Sequence, residues 1–176
     1  MQEERSTKAL STSVFDAHYE GEALIPAPAA AIFKHLDDPR RLSAHMNRRS
    51  WMMAGGRMVT AIDQGHGQQV GSHITMAGKV LGIRLHLDEI VVAYVPGQSK
   101  AWQTVGSPRL LVLGGYRLGF RLAERELDTA LQVFIDYDLP GSFWGSILGR
   151  LFGCWYARWC VNSMLHDASL AFTHRG

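Results

Sequence analysis

Apolar and polar residues alternate most clearly in "IRLHLDE", where Ile83, Leu85 and Leu87 face one way and Arg84, His86 and Asp88 the other. "LQVFIDYDL" repeats the pattern, with Leu131, Val133, Ile135, Tyr137 and Leu139 opposite Gln132, Asp136 and Asp138. Between Trp51 and Leu139 the chain breaks into six segments of this kind, "WMMAGGRMVTAID", "QQVGSHITMAGKV", "IRLHLDEIVVAYV", "QSKAWQTVG", "RLLVLGGYRLGFRLAE" and "LDTALQVFIDYDLP". Gly, Pro, Asp and Ser separate them and no helical stretch intervenes, which predicts an antiparallel meander. Before it, "VFDAHYEGEALIPAP" predicts a further strand that ends at its prolines. "PAAAIFKHLDD" then places Ile32, Phe33 and Leu36 at helical spacing, and Pro28 suits a helix's first turn. "DPRRLSAHM" starts a second short helix, with Asp38 as N-cap and Pro39 at its first position.

After Pro140 the period turns helical and stays so to about Phe172. Trp144, Leu148, Leu151, Trp155 and Trp159 fall on one stripe, while Gly141, Gly145, Gly149, Gly153 and Ala157 form a ridge of small residues. An interior glycine costs a helix about 1 kcal/mol relative to alanine, so the ridge needs a packing reason. The expectation is a long helix pressed on the sheet, its aromatic stripe inward and the ridge making room. Phe143, Phe152 and Tyr156 lie off the stripe and, if exposed, would offer an apolar patch to a partner, a second copy or a membrane surface. The segment does not itself read as a membrane span. Arg150 and Arg158 interrupt it, Asp167 follows, and the longest uncharged run, Leu139 to Gly149, is too short.

The 176 residues suffice for one domain with a sizeable core. The assignment is a tail over residues 1–13 and a single domain over 14–176. "MQEERSTKALSTS" lacks an apolar stretch and does not read as a secretory signal, so a cytoplasmic protein is expected. A net charge of +2, with basic residues gathered only at Arg40, Arg41, Arg48 and Arg49, argues against nucleic-acid binding. Cys154 and Cys160 stand six apart in a helix, on different faces, and are expected to be free thiols that neither bridge nor share a metal.

The element order is a strand, two short helices, six strands and a long final helix. It resembles the START/Bet v 1-like superfamily of helix-grip proteins, also described as SRPBCC or polyketide cyclase/dehydrase-like. "ALIPAPAAAIFKHLDDPRRLSAHM", "DEIVVAYVPGQSKAWQTVG", "YRLGFRL", "TALQVFIDYDLP" and the final helix carry the likeness, from about Val14 to Phe172. The resemblance implies an α+β helix-grip fold: a curved seven-stranded antiparallel sheet around the C-terminal helix. It also implies a cavity for lipids, sterols, polyketides, quinones or other hydrophobic small molecules, in a superfamily that includes carriers, sensors and enzymes.

No phosphate-binding glycine loop, HExxH or paired-cysteine zinc spacing is present, so neither cofactor nor metal is called for. "AGGRM" and "LGGY" read as glycine pairs that bend strands. His73 and His86 fall on the outer face. Glu89 continues the parity of Ile83, Leu85 and Leu87 and so points toward the hollow, where desolvation would raise its pKa and fit it for acid–base work. A strand bulge turning it outward, or pairing with Arg57 or Arg117, would leave it structural. Tyr116 and Tyr137 share the apolar parity of the last two strands, as ligand anchors or as core residues bonded to backbone. The face of Trp102 is undetermined, because it shares parity with Thr104 and Lys100. Adaptable methionines suit a pocket, or plain core: Met52, Met53, Met58 and Met76. The candidate lining is therefore Met52, Met58, Met76, Trp102, Tyr116, Phe120, Ile135, Tyr137, Trp155 and Trp159, with Trp51 and Met53 also expected inward.

Three functions are compatible with these residues. The first is a carrier or sensor binding a hydrophobic small molecule or lipid between sheet and helix, with peripheral membrane contact through the off-stripe aromatics and arginines. The second is a cyclase, aromatase or dehydratase acting on a polyketide-like substrate through Glu89 and a tyrosine. The third is an interaction module with a collapsed pocket. Glu89 within hydrogen-bond reach of a tyrosine would favour the enzyme, and an entirely apolar lining the carrier. Ligand identity and oligomeric state stay open at this level.

Overall fold

The structure is a computed structural model that describes residues 15–38, 57–80, 83–106, 113–139 and 152–173. The elements are β1 (Ala17–Ile25), α1 (Ala29–Leu36), β2 (Arg57–Ile62), β3 (His73–Val80), β4 (Ile83–Val95), β5 (Ser99–Thr104), β6 (Tyr116–Glu124), β7 (Thr129–Tyr137) and α2 (Cys154–Thr173). The expected second short helix lies outside the described residues, as do Trp51, Met52, Met53, Phe143, Trp144, Leu148 and Leu151.

The seven strands form one antiparallel sheet in the order β1-β7-β6-β5-β4-β3-β2, as the segmentation predicts. Strands β2 to β7 pair with their chain neighbours, and β1 closes onto β7 in the register Ala17↔Tyr137 to Ile25↔Thr129. The first strand thus lies beside the last, and α2, coming after β7 in the chain, packs on these two. On the inner face β7 buries Leu131, Val133, Ile135 and Tyr137, the set expected from its alternation. The pair Gly114–Gly115 sits just before β6 rather than bending it from within.

A bulge in β4 decides what its side chains face. The register with β5 shifts between Val91 and Ala93, which reverses the parity of the rest of the strand. Leu87, Glu89 and Val91 point inward before the bulge, and Tyr94 reaches inward after it, its hydroxyl donating to Asp37 Oδ2 at 2.9 Å. The bulge therefore lies beyond Glu89 and does not turn it out.

α1 seals the opposite end of the inner face. Its Ile32, Phe33 and Leu36 are buried, and the Phe33 ring meets those of Tyr94 and Phe120 edge-on, each at 5.7 Å. Pro28 precedes the helix and offers no side-chain cap, so the N–H of Ala29 bonds to Glu124 Oε1 at the end of β6, at 3.3 Å. At its other end Lys100 of β5, its side chain 0% exposed, donates to the Asp37 carbonyl at 3.0 Å and to Asp37 Oδ1 at 2.8 Å. Desolvation pulls the Lys100 pKa down, and Asp37 opposes that pull. Sequence parity left the side of Lys100 and Trp102 undetermined; both are inward, and the charge is there because a partner is.

Two glycines set packing distances. A Cβ at Gly21 on β1 would come within 2.9 Å of Leu165 Cδ1 and 3.1 Å of Val161 Cγ1, so α2 sits close over this strand. On the outer face, a Cβ at Gly119 would meet Phe134 Cζ at 2.6 Å and the Lys100 carbonyl oxygen at 2.8 Å. Phe134 lies over that gap, with the Arg121 guanidinium 4.5 Å from its ring centre. This covering of a glycine explains why an outward phenylalanine is buried.

Gly119→Ala is expected to destabilise by about 2 kcal/mol, because a backbone oxygen cannot yield as a side-chain end can. Gly21→Ala, which meets only the tips of Leu165 and Val161, should cost less than about 1 kcal/mol. Urea unfolding of the two variants checks the order; equal losses would contradict it. Lys100→Met should cost about 3 kcal/mol by stranding Asp37, and adding Asp37→Asn should restore much of that loss. Thermal unfolding of the single and double variants reads this directly.

Candidate functional site

The inner face between the sheet's centre and α2 carries one polar centre. Glu89 of β4 is 3% exposed, with Ile74 of β3 opposite it on one side and Thr104 of β5 on the other. Tyr116, the first residue of β6, donates its hydroxyl to Glu89 Oε1. Trp102, one pair along β5, is buried on the same face beside it. The backbone holds this arrangement in place, since the N–H of Tyr116 bonds to Thr104 Oγ1 at 3.0 Å.

Desolvation dominates the electrostatics. It raises the Glu89 pKa from 4.5 to about 7, against the bond from Tyr116 and the polar edge of Trp102, which pull it down, and with a small upward push from Asp88. Burial first, and then the neighbouring carboxylate, holds the Tyr116 hydroxyl well above its usual range. Arg117, weighed as a partner for Glu89, points to the other face. There Nε and Nη2 bond to Asp136 Oδ2 at 2.9 and 2.7 Å, while His18 Nδ1 meets Asp136 Oδ1 at 2.6 Å. Glu89 has neutral donors around it and, among the described residues, no cation at hand.

The helix contributes what the sequence pattern placed elsewhere. The buried face of α2 is Ala157, Cys160, Val161, Met164, Leu165 and Ala168, so the described end of the small-residue ridge, Gly153 and Ala157, is on the packed side; Gly141, Gly145 and Gly149 lie outside the described residues. Trp155, expected inward, is 46% exposed, and Trp159 is half-buried. This corrects the expected stripe. At about 100° per residue the two indoles lie nearly opposite Ala157, on the side away from the face whose Val161 and Leu165 pack over Gly21. With Arg158, Asn162, Ser163 and His166 they line an open groove of about 470 Å³ on the helix's far side.

The same rotation brings Tyr156 in, against the expectation that it lies off the packed face. It packs against the core, half-buried, one turn before the buried Cys160. The proximity of Cys160, then burial, then Glu89 raises its pKa well above the usual value. Burial pushes the Cys160 thiol up to about 12, so it is unreactive, while Cys154 is exposed. A clue to Tyr156 was in the sequence: once the glycine–alanine ridge is taken as the sheet-facing side, Tyr156 and Cys160 flank it together.

Of the other candidates, Met76, Ile135 and Tyr137 are buried and inward, Tyr137 directly beside Tyr116 in the β6–β7 pairing. Phe120 is also buried, but it sits four residues along β6 from Tyr116, roughly 13 Å away, against α1. The side chain of Met58 lies outside the described residues. His73 and His86 are exposed, His73 bonding to Asp88 Oδ2 at 3.1 Å. Among the described residues no three His, Cys, Asp or Glu side chains converge as metal ligands would, and no helix is long and apolar enough to cross a membrane.

Glu89 makes stability depend on pH. Its folded pKa exceeds its unfolded one, so its stabilising share is full below 4.5 and is lost as pH rises through about 7. Glu89→Gln removes that dependence. Relative to the variant, the wild type should lose about 3 kcal/mol between about pH 4 and about pH 8, measured by urea unfolding at both. A pH-independent difference would mean that Glu89 is not held neutral in the fold.

No family model and no curated protein matches the chain. Solved structures do. Norcoclaurine synthase from Thalictrum flavum, in complex with dopamine and hydroxybenzaldehyde, superposes with a TM-score of 0.61 at 15% identity, over 91% of this chain and 88% of its own. The di-domain ARO/CYC StfQ from the steffimycin biosynthetic pathway gives 0.62 at 14% identity, over 88% of this chain and 49% of its own. Major latex-like protein 151 from Panax ginseng gives 0.57 at 12% identity, over 89% and 97%. Likeness at such identities is a likeness of fold. The chain has the helix-grip fold that the resemblance in its sequence implies.

Proposed function

We propose that the protein is an acid–base catalyst that takes an apolar, carbonyl-bearing small molecule between its sheet and α2, with Glu89 as the proton-transferring group and Tyr116 as its positioning partner. The observation that carries this reading is the buried hydrogen bond from Tyr116 to Glu89 in an otherwise apolar surround of Met76, Leu87, Leu118 and Ile135. A carboxyl poised near neutrality exchanges protons with a bound substrate in either direction, which is what a general acid or base requires. Affinity comes from burial, at about 25 cal/mol per Å² of apolar surface removed from water. The reaction class is cyclase-, aromatase- or dehydratase-like, in which a proton leaves a carbon beside a carbonyl and a hydroxyl is later lost. Fold likeness to a protein named ARO/CYC and to norcoclaurine synthase lends support of the weaker, analogical kind.

A second reading, a carrier or sensor of a hydrophobic molecule, is favoured by the apolar remainder of the inner face. It differs from the first in one respect: Glu89 would fix orientation and transfer no proton.

The discriminating measurement is solvent deuterium exchange at the carbon beside the carbonyl of 2-acetylnaphthalene, monitored by NMR. The enzyme reading expects exchange that rises with pH to a plateau above about 7, where Glu89 is ionised and acts as base. Glu89→Gln should slow it by about 100-fold or more. Binding without accelerated exchange would sink the enzyme and leave the carrier. Native mass spectrometry of the purified protein would then identify what it carries.

A further inference from the structure

Glu89 and Tyr116 meet across a strand that belongs to neither. Their strands, β4 and β6, flank β5 in the sheet, so the two backbones stand two strand spacings apart, roughly 10 Å. The hydrogen bond between the side chains therefore passes over β5. The residue of β5 in line with them is Thr104, paired with Glu89 on one side and half-buried at the same parity as Trp102.

On the other side of Thr104 the ladder stops short. β5 and β6 pair from Ser99↔Arg121 to Gln103↔Arg117, and beyond that β5 keeps to β4, the N–H of Val105 bonding to the Asp88 carbonyl at 2.8 Å. The Thr104 hydroxyl fills the gap. It accepts from the main-chain N–H of Tyr116 at 3.0 Å and donates to the Tyr116 carbonyl at 3.4 Å. Gly115 keeps the approach open, since a Cβ there would lie 3.4 Å from Thr104 Oγ1 and 3.3 Å from Asp138 Oδ2. Threonine suits both demands of the position. A longer side chain would stand between carboxyl and phenol, and one without a hydroxyl would leave the Tyr116 N–H without this partner.

We propose that Thr104 is the positioning residue of the site: its hydroxyl, standing in for the missing β5–β6 pairing, fixes the first residue of β6 so that the Tyr116 phenol stays on the Glu89 carboxyl. It touches no reacting atom and acts only through Tyr116. Its catalytic consequence rests on the reading of Glu89 as the proton-transferring group, whereas the hold itself does not. The bond from Tyr116 favours the ionised carboxylate and opposes the effect of burial. Loosening that bond lets Glu89 keep its proton to higher pH.

The test is urea unfolding across pH, each protein being compared with its own Glu89→Gln counterpart. The wild-type difference should fall as pH rises and level off above about 7, where the folded carboxyl is ionised. Thr104→Val keeps the shape and loses the hydroxyl. Its levelling-off should move up by about one pH unit, a tenfold change in the ionisation equilibrium and part of the worth of one hydrogen bond to a charged group. Thr104→Ser keeps a hydroxyl and should return the wild-type profile. On a Tyr116→Phe background Thr104→Val should move nothing further. A merely structural threonine would lower stability by the same amount at every pH.

A profile unmoved by Thr104→Val overturns the role of Thr104, and movement by Tyr116→Phe alone spares the site. A shift that persists on the Tyr116→Phe background places the effect elsewhere and overturns it too. Deuterium exchange into 2-acetylnaphthalene separates the two claims. If the Thr104 profiles move as expected while the wild type exchanges nothing, the acid–base reading is lost and the hold stands. Should Thr104→Val not fold, Thr104→Ala removes the same hydroxyl and carries the same expectation.

Discussion

The rotation of α2 about its own axis rests on one close approach. At Gly21 of β1 the bare backbone lets the tips of Leu165 and Val161 settle close, so the helix lays its Ala157, Val161 and Leu165 face on the sheet. That choice settles the rest. Gly153 and Ala157 go down onto the packed side, Trp155 and Trp159 swing to the far side, and Tyr156 with Cys160 is carried against the core. A helix turned by half a revolution would bury two indoles and expose the tyrosine. Close packing makes the two settings discrete alternatives rather than a continuum.

The inner face then has two polar ends that meet the cost of burial differently. At the α1 end Lys100 has an opposite charge, a carbonyl and the face of Tyr94 around it, so its charge is answered from several directions. Such a centre fixes geometry and resists change. At the other end Glu89 meets hydroxyl and indole donors but, among the described residues, no cation, and it answers burial by holding its proton until pH approaches about 7. The first arrangement locks α1 to β4 and β5. The second leaves a group whose protonation is sensitive to whatever approaches it, which is the property acid–base chemistry uses.

Much of this architecture was legible because strand alternation is a local property. The parity of Leu131 to Tyr137 on β7, and of Leu87 and Glu89 on β4, comes from a two-residue period that neighbouring strands do not alter. Trp102 was not legible, since its parity joined it to a lysine and only the distant Asp37 explains why a lysine is buried. The helix was misread for a related reason. Bulk suggested that the tryptophans were core, but which stripe faces the sheet depends on the partner surface, here a single glycine on the far-off first strand. Phe134 shows the same dependence: outward by parity, yet buried because Gly119 leaves a hollow beside it.

These long-range dependences explain why the site spans sheet and helix rather than one of them. Glu89, Trp102 and Tyr116 come from three adjacent strands and are registered by the sheet's own hydrogen bonds, which makes them a rigid half. Tyr156 comes from the helix, whose setting depends on side-chain packing. A site assembled this way has one half that fixes chemistry and another that can adjust to what is bound. Apolar area supplies the affinity on both sides and is indifferent to the ligand's polar atoms. Discrimination in a site of this kind must therefore come from its few polar groups, here the carboxyl of Glu89 and the hydroxyl that Tyr116 gives it.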